Sequence, residues 1–244
     1  MVVGFCGSGN MARALALGWG EPALFTDGGS GRAVALAKAV GGEALSSNRE
    51  LGERAELLIL AHKPAQLAAV AKEIGSAKVV LSLLGAVTLA ELEAAYAGAQ
   101  IVRSMPNTPV AVRQGVTCVC GAEIAEVEEL LARVGAVVRL PERLIDAATA
   151  VSGVAPAYVA LIAEAWVDAA VAQGLPAAQA AELVGASLAG SAALLQARDM
   201  DTLAVRREVT SPGGMTARGL RALEQAGLRS AFANAAAAVA PPQR

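Results

Sequence analysis

The sequence has little of what several large classes of protein require. Aromatic residues make up 3% of it and charged residues 17%, with a formal net charge of −2. It has one histidine, His62, and three cysteines, Cys6, Cys118 and Cys120, which form no CxxC pair. The absence of a cluster of basic residues argues against a nucleic-acid partner. One histidine and three scattered thiols do not have the spacing of metal ligands. We therefore expect no nucleic acid and no metal.

Two further absences concern the location of the protein. No run reaches the roughly 18 uncharged apolar residues of a membrane-spanning helix. The chain starts with the apolar pattern of a strand, residues 2–6, and not with a charged leader. An odd number of scattered thiols is typical of a reducing compartment. These features predict a cytoplasmic protein with no membrane partner.

Small apolar residues are abundant, and their arrangement changes along the chain. Apolar residues make up 55% of the 244 residues, much of them alanine. Strand and helix patterns alternate over residues 1–146, whereas residues 147–244 show helix patterns only. This predicts an α/β fold, with an N-terminal Rossmann dinucleotide-binding domain over 1–146 and an all-helical domain over 147–244. The helical part has few bulky side chains for a core of its own, so we expect it to form a dimer interface.

The first strand leads into a glycine turn with the spacing G-x-G-x-x-A. Gly7 and Gly9 occupy the two glycine positions and Ala12 the third, and a helix pattern follows. This is the register of a dinucleotide-binding fingerprint, in which the pyrophosphate lies on the helix N-terminus. The predicted cofactor contacts here are Cys6, Gly7, Ser8, Gly9, Asn10 and Met11.

The end of the second strand, residues 23–26, gives two conflicting signals about the cofactor. Asp27 follows Thr26 and lies about twenty residues after Gly7, where an acid holds the ribose hydroxyls of NAD. Ser30 and Arg32, a few residues further on, would suit the 2′-phosphate of NADP. We predict NADP, with NAD as the alternative, and assign Thr26, Asp27, Ser30 and Arg32 to the cofactor site.

A continuous apolar run over residues 57–61 is typical of a buried parallel strand. It ends in His62-Lys63-Pro64, at the sheet edge where ligands bind. We expect Ala61, His62, Lys63 and Pro64 to face the cofactor, with His62 as a pocket wall. Gly85, after the strand pattern of residues 79–84, joins this set. Further strands are predicted over 101–105, 116–120 and 136–140, with a helix over 123–134.

The stretch Val209-Thr210-Ser211-Pro212-Gly213-Gly214-Met215-Thr216-Ala217 stands out in the helical part. Ser211 and Pro212 are typical of an N-cap and a first helical position, which predicts a helix over 212–225. Two glycines in a first turn are unfavourable, and bare N–H groups at a helix start can seat a carboxylate. An ordinary capped helix and an anion site both remain open here. Other helices are predicted over 156–173, 176–196, 200–208 and 230–239.

Several motifs together resemble the pyrroline-5-carboxylate reductase family, the last enzyme of proline biosynthesis. They are Gly4-Phe5-Cys6-Gly7-Ser8-Gly9-Asn10-Met11, Lys63-Pro64, Arg103-Ser104-Met105-Pro106-Asn107-Thr108-Pro109, Pro156-Ala157-Tyr158 and Thr210-Ser211-Pro212-Gly213-Gly214-Met215-Thr216. The resemblance runs over nearly the whole chain. It implies a homodimer, often a ring of dimers, and a small-molecule imine substrate that carries a carboxylate.

The resemblance also implies roles for individual residues. Asn48 matches an asparagine that the family uses at the cofactor. The segment from Ser211 to Thr216 would hold the substrate carboxylate, through Ser211, Gly213, Gly214 and Met215. Thr216 would hydrogen-bond the ring nitrogen and is the predicted catalytic residue. The cofactor would then deliver hydride to the imine carbon, which is electrophilic when the nitrogen is protonated.

Two other classes of dehydrogenase lack their catalytic lysine in this sequence. The chain has no lysine after Lys78, which argues against a β-hydroxyacid dehydrogenase, and Ile162 stands where a short-chain dehydrogenase would need a lysine after Tyr158. Two alternatives remain open. One is a related reductase that acts on another cyclic imine. The other is a catalytically silent nucleotide-binding regulatory protein, favoured by the departures from the family pattern at Val154, Ala155 and Gly85.

Overall fold

The computed structural model describes residues 1–239, which form two compact units, Met1–Pro156 and the residues from Ala157 onward. The first unit is built on one eight-stranded sheet with the order β3-β2-β1-β4-β5-β6-β7-β8. All neighbouring strands are parallel except β6 and β7. The strands are β1 (Val3–Cys6), β2 (Leu24–Thr26), β3 (Glu43–Ala44), β4 (Leu57–Leu60), β5 (Val79–Ser82), β6 (Gln100–Pro106), β7 (Gly115–Gly121) and β8 (Gly135–Arg139).

Helices connect the strands of the first unit, as parallel pairing requires. They are α1 (Asn10–Trp19), α2 (Arg32–Val40), α3 (Asn48–Arg54), α4 (Leu67–Ile74), α5 (Leu89–Ala95), α6 (Ala125–Ala132) and α7 (Ile145–Ser152). Three short 3₁₀ turns cover Pro64–Gln66, Thr108–Val112 and Glu142–Leu144. The order of the first five strands is that of a Rossmann sheet, whose strand order reverses at β1 and β4.

Helix α1 is held tightly at its C-terminal end. Trp19 is buried and its indole Nε1 donates to the carbonyl of Leu130, at 2.7 Å. A Cβ on Gly18 would lie 2.1 Å from the carbonyl oxygen of Val110, so only glycine fits at this crossing. The Arg113 guanidinium donates to the carbonyl of Gly18 at 2.7 Å, which places a cation at the negative end of the helix dipole.

The motif between Arg103 and Pro109 ties β6 to α7 and the turn before it. Arg103 is 3% exposed and donates to Glu142 at 3.2 Å and to Asp146 at 2.8 Å. Asn107 donates from its side-chain amide to the carbonyl of Ser152 at 3.1 Å and accepts from the N–H of Val116 at 2.8 Å. These bonds hold α7 in place, while the Nε of Arg103 is buried without a hydrogen-bond partner among the described residues.

The second unit contains helices only, within the residues described. Helix α8 (Ala155–Ala172) leads into it, and α9 (Ala177–Gln196), α10 (Thr202–Glu208), α11 (Met215–Gln225) and α12 (Leu228–Val239) follow. Ala180 and Val184 are the only two residues between 157 and 239 that are buried. This unit consequently lacks an ordinary core of its own.

Two helical stretches, Glu142–Ala172 and Ala177–Gln196, are long and apolar enough to cross a membrane by length and composition alone. Their most apolar windows have mean hydropathies of 1.6 and 1.3, and only 6% and 11% of those windows are buried. One or two helices of this kind are weak evidence for a membrane span.

Most predicted elements are confirmed within a few residues, but several others were missed or misplaced. The sequence did not indicate the two-residue strand β3, the helix α2 that begins at Arg32, or the helices α3, α4, α5 and α7. The predicted helix start at Pro212 is wrong, since α11 begins at Met215 and Gly214 is its N-cap. The domain boundary at residue 146 stays a prediction. The contacts between residues divide the chain into two units near Pro156, which does not test a functional boundary.

Candidate functional site

A cleft of about 570 Å³ lies at the carboxyl ends of β1, β2 and β4. This is the edge at which open parallel sheets bind ligands. Six of the residues predicted to bind a cofactor line the cleft, namely Cys6, Gly7, Thr26, Asp27, Asn48 and His62. The fold thus brings together residues that follow three different strands.

The glycine turn leaves the start of α1 open. Gly7 has a φ of +102°, and a Cβ there would lie 2.6 Å from the carbonyl of Ala61. Gly9, the N-cap of α1, has no heavy atom within 4 Å of the position that a Cβ would take. No side chain caps α1, and its first turn contains no acidic residue. Free N–H groups beside open space fit the pyrophosphate of a dinucleotide.

Asn48 connects the floor of the cleft to its walls. Its side-chain oxygen accepts a hydrogen bond from the Thr26 hydroxyl at 2.7 Å and from the Cys6 thiol at 3.4 Å. Its amide nitrogen donates to Glu73 on α4 at 2.7 Å. Burial raises the pKa of the Cys6 thiol to about 11, so this thiol stays protonated and acts as a wall and not as a nucleophile.

Asp27 organises the loop that follows β2. Its carboxylate accepts hydrogen bonds from the N–H groups of Gly29 and Ala33 and from the Ser30 hydroxyl, at 2.8, 2.9 and 2.9 Å. The bond from the Ala33 N–H, followed by those from Ser30 and Gly29, holds the pKa of this carboxyl below its usual value. The predicted cofactor contacts Ser30 and Arg32 do not line the cleft.

His62 presents one unsatisfied nitrogen. Its Nδ1 lies 2.9 Å from the carbonyl of Lys63 and must donate, because a carbonyl only accepts. Its Nε2 is therefore an acceptor, and this atom is buried without a hydrogen-bond partner among the described residues. Burial lowers the pKa of the imidazole, which keeps the ring neutral. His62 thus forms a neutral wall of the cleft.

The other predicted cofactor residues lie around the cleft without lining it. Ser8 is buried and donates to the carbonyl of Thr26 at 3.0 Å. Asn10 and Met11 open α1, and the Ala61 N–H bonds to the carbonyl of Cys6. Lys63 is exposed, and Pro64 lines a separate groove between α4 and α5. Gly85 lies in the turn after β5.

The predicted substrate segment forms a turn followed by the start of α11. Gly213 has a φ of +68°, and the N–H of Gly214 bonds to the carbonyl of Ser211 at 3.1 Å. The two glycines therefore precede the helix, because Ser211 and Pro212 form a turn and not the N-cap and first helical residue that their sequence suggests. Bare N–H groups of Met215 and Thr216 still open the helix, so an anion seat there agrees with this geometry.

Several residues of the site were not indicated by the sequence, among them Glu73, which lines the cleft and accepts the bond from Asn48. Arg49 also lines the cleft, and the only sequence signal for it is that it directly follows Asn48. Arg218 donates to the carbonyl of Gly213 at 2.9 Å and so holds the glycine turn against α11. Within residues 1–239, no group of three or more His, Cys, Asp or Glu side chains could hold a metal ion.

Comparison with known proteins gives two family-model matches, one in each half of the chain, and relatives of one named activity. Residues 142–242 match the family model "Pyrroline-5-carboxylate reductase dimerisation", and residues 2–85 match "NADP oxidoreductase coenzyme F420-dependent". A pyrroline-5-carboxylate reductase from Synechocystis is 39% identical over 77% of this chain and 74% of its own length.

Solved structures give the same result. A Plasmodium falciparum pyrroline carboxylate reductase with NADP bound has a TM-score of 0.84 at 28% identity, with 98% of this chain and 95% of the other covered. The Streptococcus pyogenes 1-pyrroline-5-carboxylate reductase has a TM-score of 0.87 at 27% identity, with 98% and 96% covered. Both units of this chain therefore have counterparts in these proteins.

Proposed function

Because the chain belongs to the pyrroline-5-carboxylate reductase family, we propose that its cleft binds NADPH and that the Ser211–Thr216 segment binds the imine substrate. The protein reduces 1-pyrroline-5-carboxylate to proline with hydride from NAD(P)H, the last step of proline biosynthesis. The observation that carries the cofactor assignment is the open, uncapped start of α1 above Gly7 and Gly9.

The cofactor residues divide by what they do. The N–H groups from Gly9 to Met11 bind the pyrophosphate, and Gly7 allows the chain to turn beneath it. His62 forms a neutral wall of the cofactor cleft. Asn48, fixed by Thr26 and Glu73, shapes the adenosine side of the cleft. NADPH supplies the hydride when bound, and NADH remains the alternative donor.

The substrate residues act on the carboxylate and on the ring nitrogen. The turn from Ser211 to Gly214 and the N–H of Met215 receive the carboxylate at the start of α11. The half-buried hydroxyl of Thr216, one residue further on, is the hydrogen-bond partner of the ring nitrogen. A bond to an atom that changes charge during hydride transfer stabilises the transition state more than the bound substrate.

We further propose that the working form is a cytoplasmic homodimer, with a ring of dimers as its larger assembly, and not a membrane protein. A dimerisation family matches residues 142–242, and this is where the exposed apolar helices lie. Tyr158, Leu161, Leu228 and Phe232 line an apolar groove of about 230 Å³ between α8 and α12. A second copy of the chain would cover such surfaces.

One assay tests the function, and a variant pair tests the site. The purified protein should oxidise NADPH when given the five-membered cyclic imine carboxylate, and the six-membered imine run in parallel tests the alternative substrate. Thr216→Ala should lower kcat by about 10²–10³-fold while the Kd for NADPH changes little, because one preorganised polar partner is lost. Thr216→Ser should keep part of the rate.

Two outcomes would contradict this assignment. Tight NADPH binding without turnover of either imine would favour a silent nucleotide-binding protein. Turnover close to wild type in a well-folded Thr216→Ala variant would remove the catalytic role of Thr216, and the nitrogen would then be protonated by water.

A further inference from the structure

The adenosine end of the cleft contains an acid whose two carboxylate oxygens both already accept hydrogen bonds. Asp27 stands where an acidic residue of an NAD site accepts the two ribose hydroxyls. Here both of its carboxylate oxygens accept hydrogen bonds from its own loop, from the N–H of Gly29, the N–H of Ala33 and the Ser30 hydroxyl. Asp27 therefore stabilises the loop between β2 and α2. The Ser30 hydroxyl donates its one proton to that carboxylate and cannot donate it to a ligand as well.

The two arginines near this loop differ in where they lie. Arg32 is exposed at the first position of α2 and does not line the cleft. Arg49 lines the cleft together with Asp27 and Gly28. Both arginines are exposed, and neither side chain makes a hydrogen bond or ion pair with another residue of the described part of the chain, so their difference is the position relative to the cleft.

The backbone of Arg49 is fixed relative to the end of β2. The preceding residue, Asn48, accepts the Thr26 hydroxyl at 2.7 Å and donates to Glu73 at 2.7 Å. The two bonds hold the first turn of α3 against β2 and α4. The Arg49 guanidinium is therefore attached to a fixed backbone position and has no ionic partner among the described residues.

The charges along the cleft single out Arg49 as well. Its other charged lining residues are Asp27 and Glu73, which are both bonded to protein donors. His62 is held neutral by burial. Arg49 is thus the one cation among the described residues that line the cleft. A planar guanidinium binds a phosphate group through two parallel hydrogen bonds, which a lysine would not reproduce.

We propose that Arg49, and not Arg32, binds the 2′-phosphate of NADPH and sets the cofactor preference, while Asp27 positions the loop. This inference rests on the proposed function of the cleft. It reverses the assignment that the sequence suggested, in which Arg32 and Ser30 met the phosphate and Asp27 opposed it.

The test compares matched arginine variants on two cofactors. Arg49→Ala should lower kcat/KM for NADPH by about 10- to 100-fold and leave kcat/KM for NADH within about twofold of wild type. Arg32→Ala, which removes the same charge from the neighbouring helix, should change neither value by more than about twofold. Asp27→Asn should affect both cofactors alike, because it loosens the loop and removes no ribose contact.

A binding measurement separates this inference from the proposed reaction. Calorimetry with 2′,5′-ADP and with 5′-ADP as probes should show that Arg49→Ala weakens only 2′,5′-ADP. If the protein fails to reduce the imine, the function is wrong, but these two probes still test Arg49. Equal loss of both probes in Arg49→Ala, a selective loss in Arg32→Ala, or a loss of NADH use alone in Asp27→Asn would each overturn the inference.

Discussion

Ala86 holds a backbone conformation that favours glycine. It has a φ of +58° in the turn after β5 and directly follows Gly85. The left-handed region costs a residue with a Cβ about 1–2 kcal/mol, whereas glycine in place of alanine loses about 0.4–1 kcal/mol through the unfolded chain. The first effect exceeds the second.

Ala86→Gly should therefore stabilise the protein by about 0.5–1 kcal/mol, which corresponds to a rise in Tm of roughly 1–4 °C. Thermal or urea unfolding measures this. Gly85→Ala is the matched control, because its φ is not positive and its Cβ would make an ordinary contact of 3.9 Å with Met105. It should be close to neutral in stability. A drop in Tm for Ala86→Gly would show that the unfolded-state term dominates.

The sequence was sufficient to place individual residues whose position depends only on the order of strand, turn and helix. Gly7 and Gly9 follow a strand and open a helix, so their spacing was enough. Asn48 was found only through the family motif. The choice between Arg32 and Arg49 could not be made from the sequence, because it depends on which face of α2 and of α3 packs against the sheet.

Helices and strands were predicted correctly where the hydrophobic periodicity is strong. They were misplaced where local hydrogen bonds determine where a helix begins. The strands around β1, β4 and β5 are continuous apolar runs, and their positions were confirmed. The start of α11 was placed at Pro212, although a Ser-Pro-Gly-Gly run suits a turn as well as a capped helix. The bond from the Gly214 N–H to the Ser211 carbonyl and the bond from Arg218 to Gly213 favour the turn.

Helix α1 can be tested with one substitution at each end, because the space around the two terminal glycines differs. A side chain at Gly9 would enter open space, whereas one at Gly18 would collide with the carbonyl of Val110. Gly9→Val should therefore keep its Tm within a few degrees of wild type and lose NADPH binding, because the Val side chain fills the space above the free N–H groups. Fluorescence titration of NADPH and a melting curve measure the two effects.

Gly18→Ala serves as the opposite case in the same helix. Its Cβ would lie 2.1 Å from a backbone oxygen, so α1 must move away from the Thr108–Val112 turn and stability should fall by several kcal/mol. NADPH affinity that survives in a folded Gly9→Val protein would place the pyrophosphate elsewhere.

The whole molecule is asymmetric in how its apolar residues are buried. The first unit has three clusters of buried residues: two large ones on opposite faces of the sheet and a small one with Cys118, Cys120 and Ile145. Beyond residue 156, Ala180 and Val184 alone are buried among the described residues, while Leu161 and Trp166 are 65% and 48% exposed. A chain of alanine-rich helices made this imbalance predictable, but the sequence alone does not say which side chains face a partner.

The proposed dimer follows from this imbalance, since exposed apolar surface of this extent is stable in water only when something covers it. Light scattering at micromolar concentration should give at least the mass of two chains in detergent-free buffer. Leu161→Glu should shift the protein towards monomer and lower its Tm, because a charge buried in an interface lacks a partner. Val34→Glu is the control, since Val34 is also 65% exposed but lies on α2 in the first unit, so the mass should stay unchanged. A fully active wild-type monomer would contradict the dimer. Recovery of the protein only with membranes and detergent would instead assign the exposed faces of α8 and α9 to lipid.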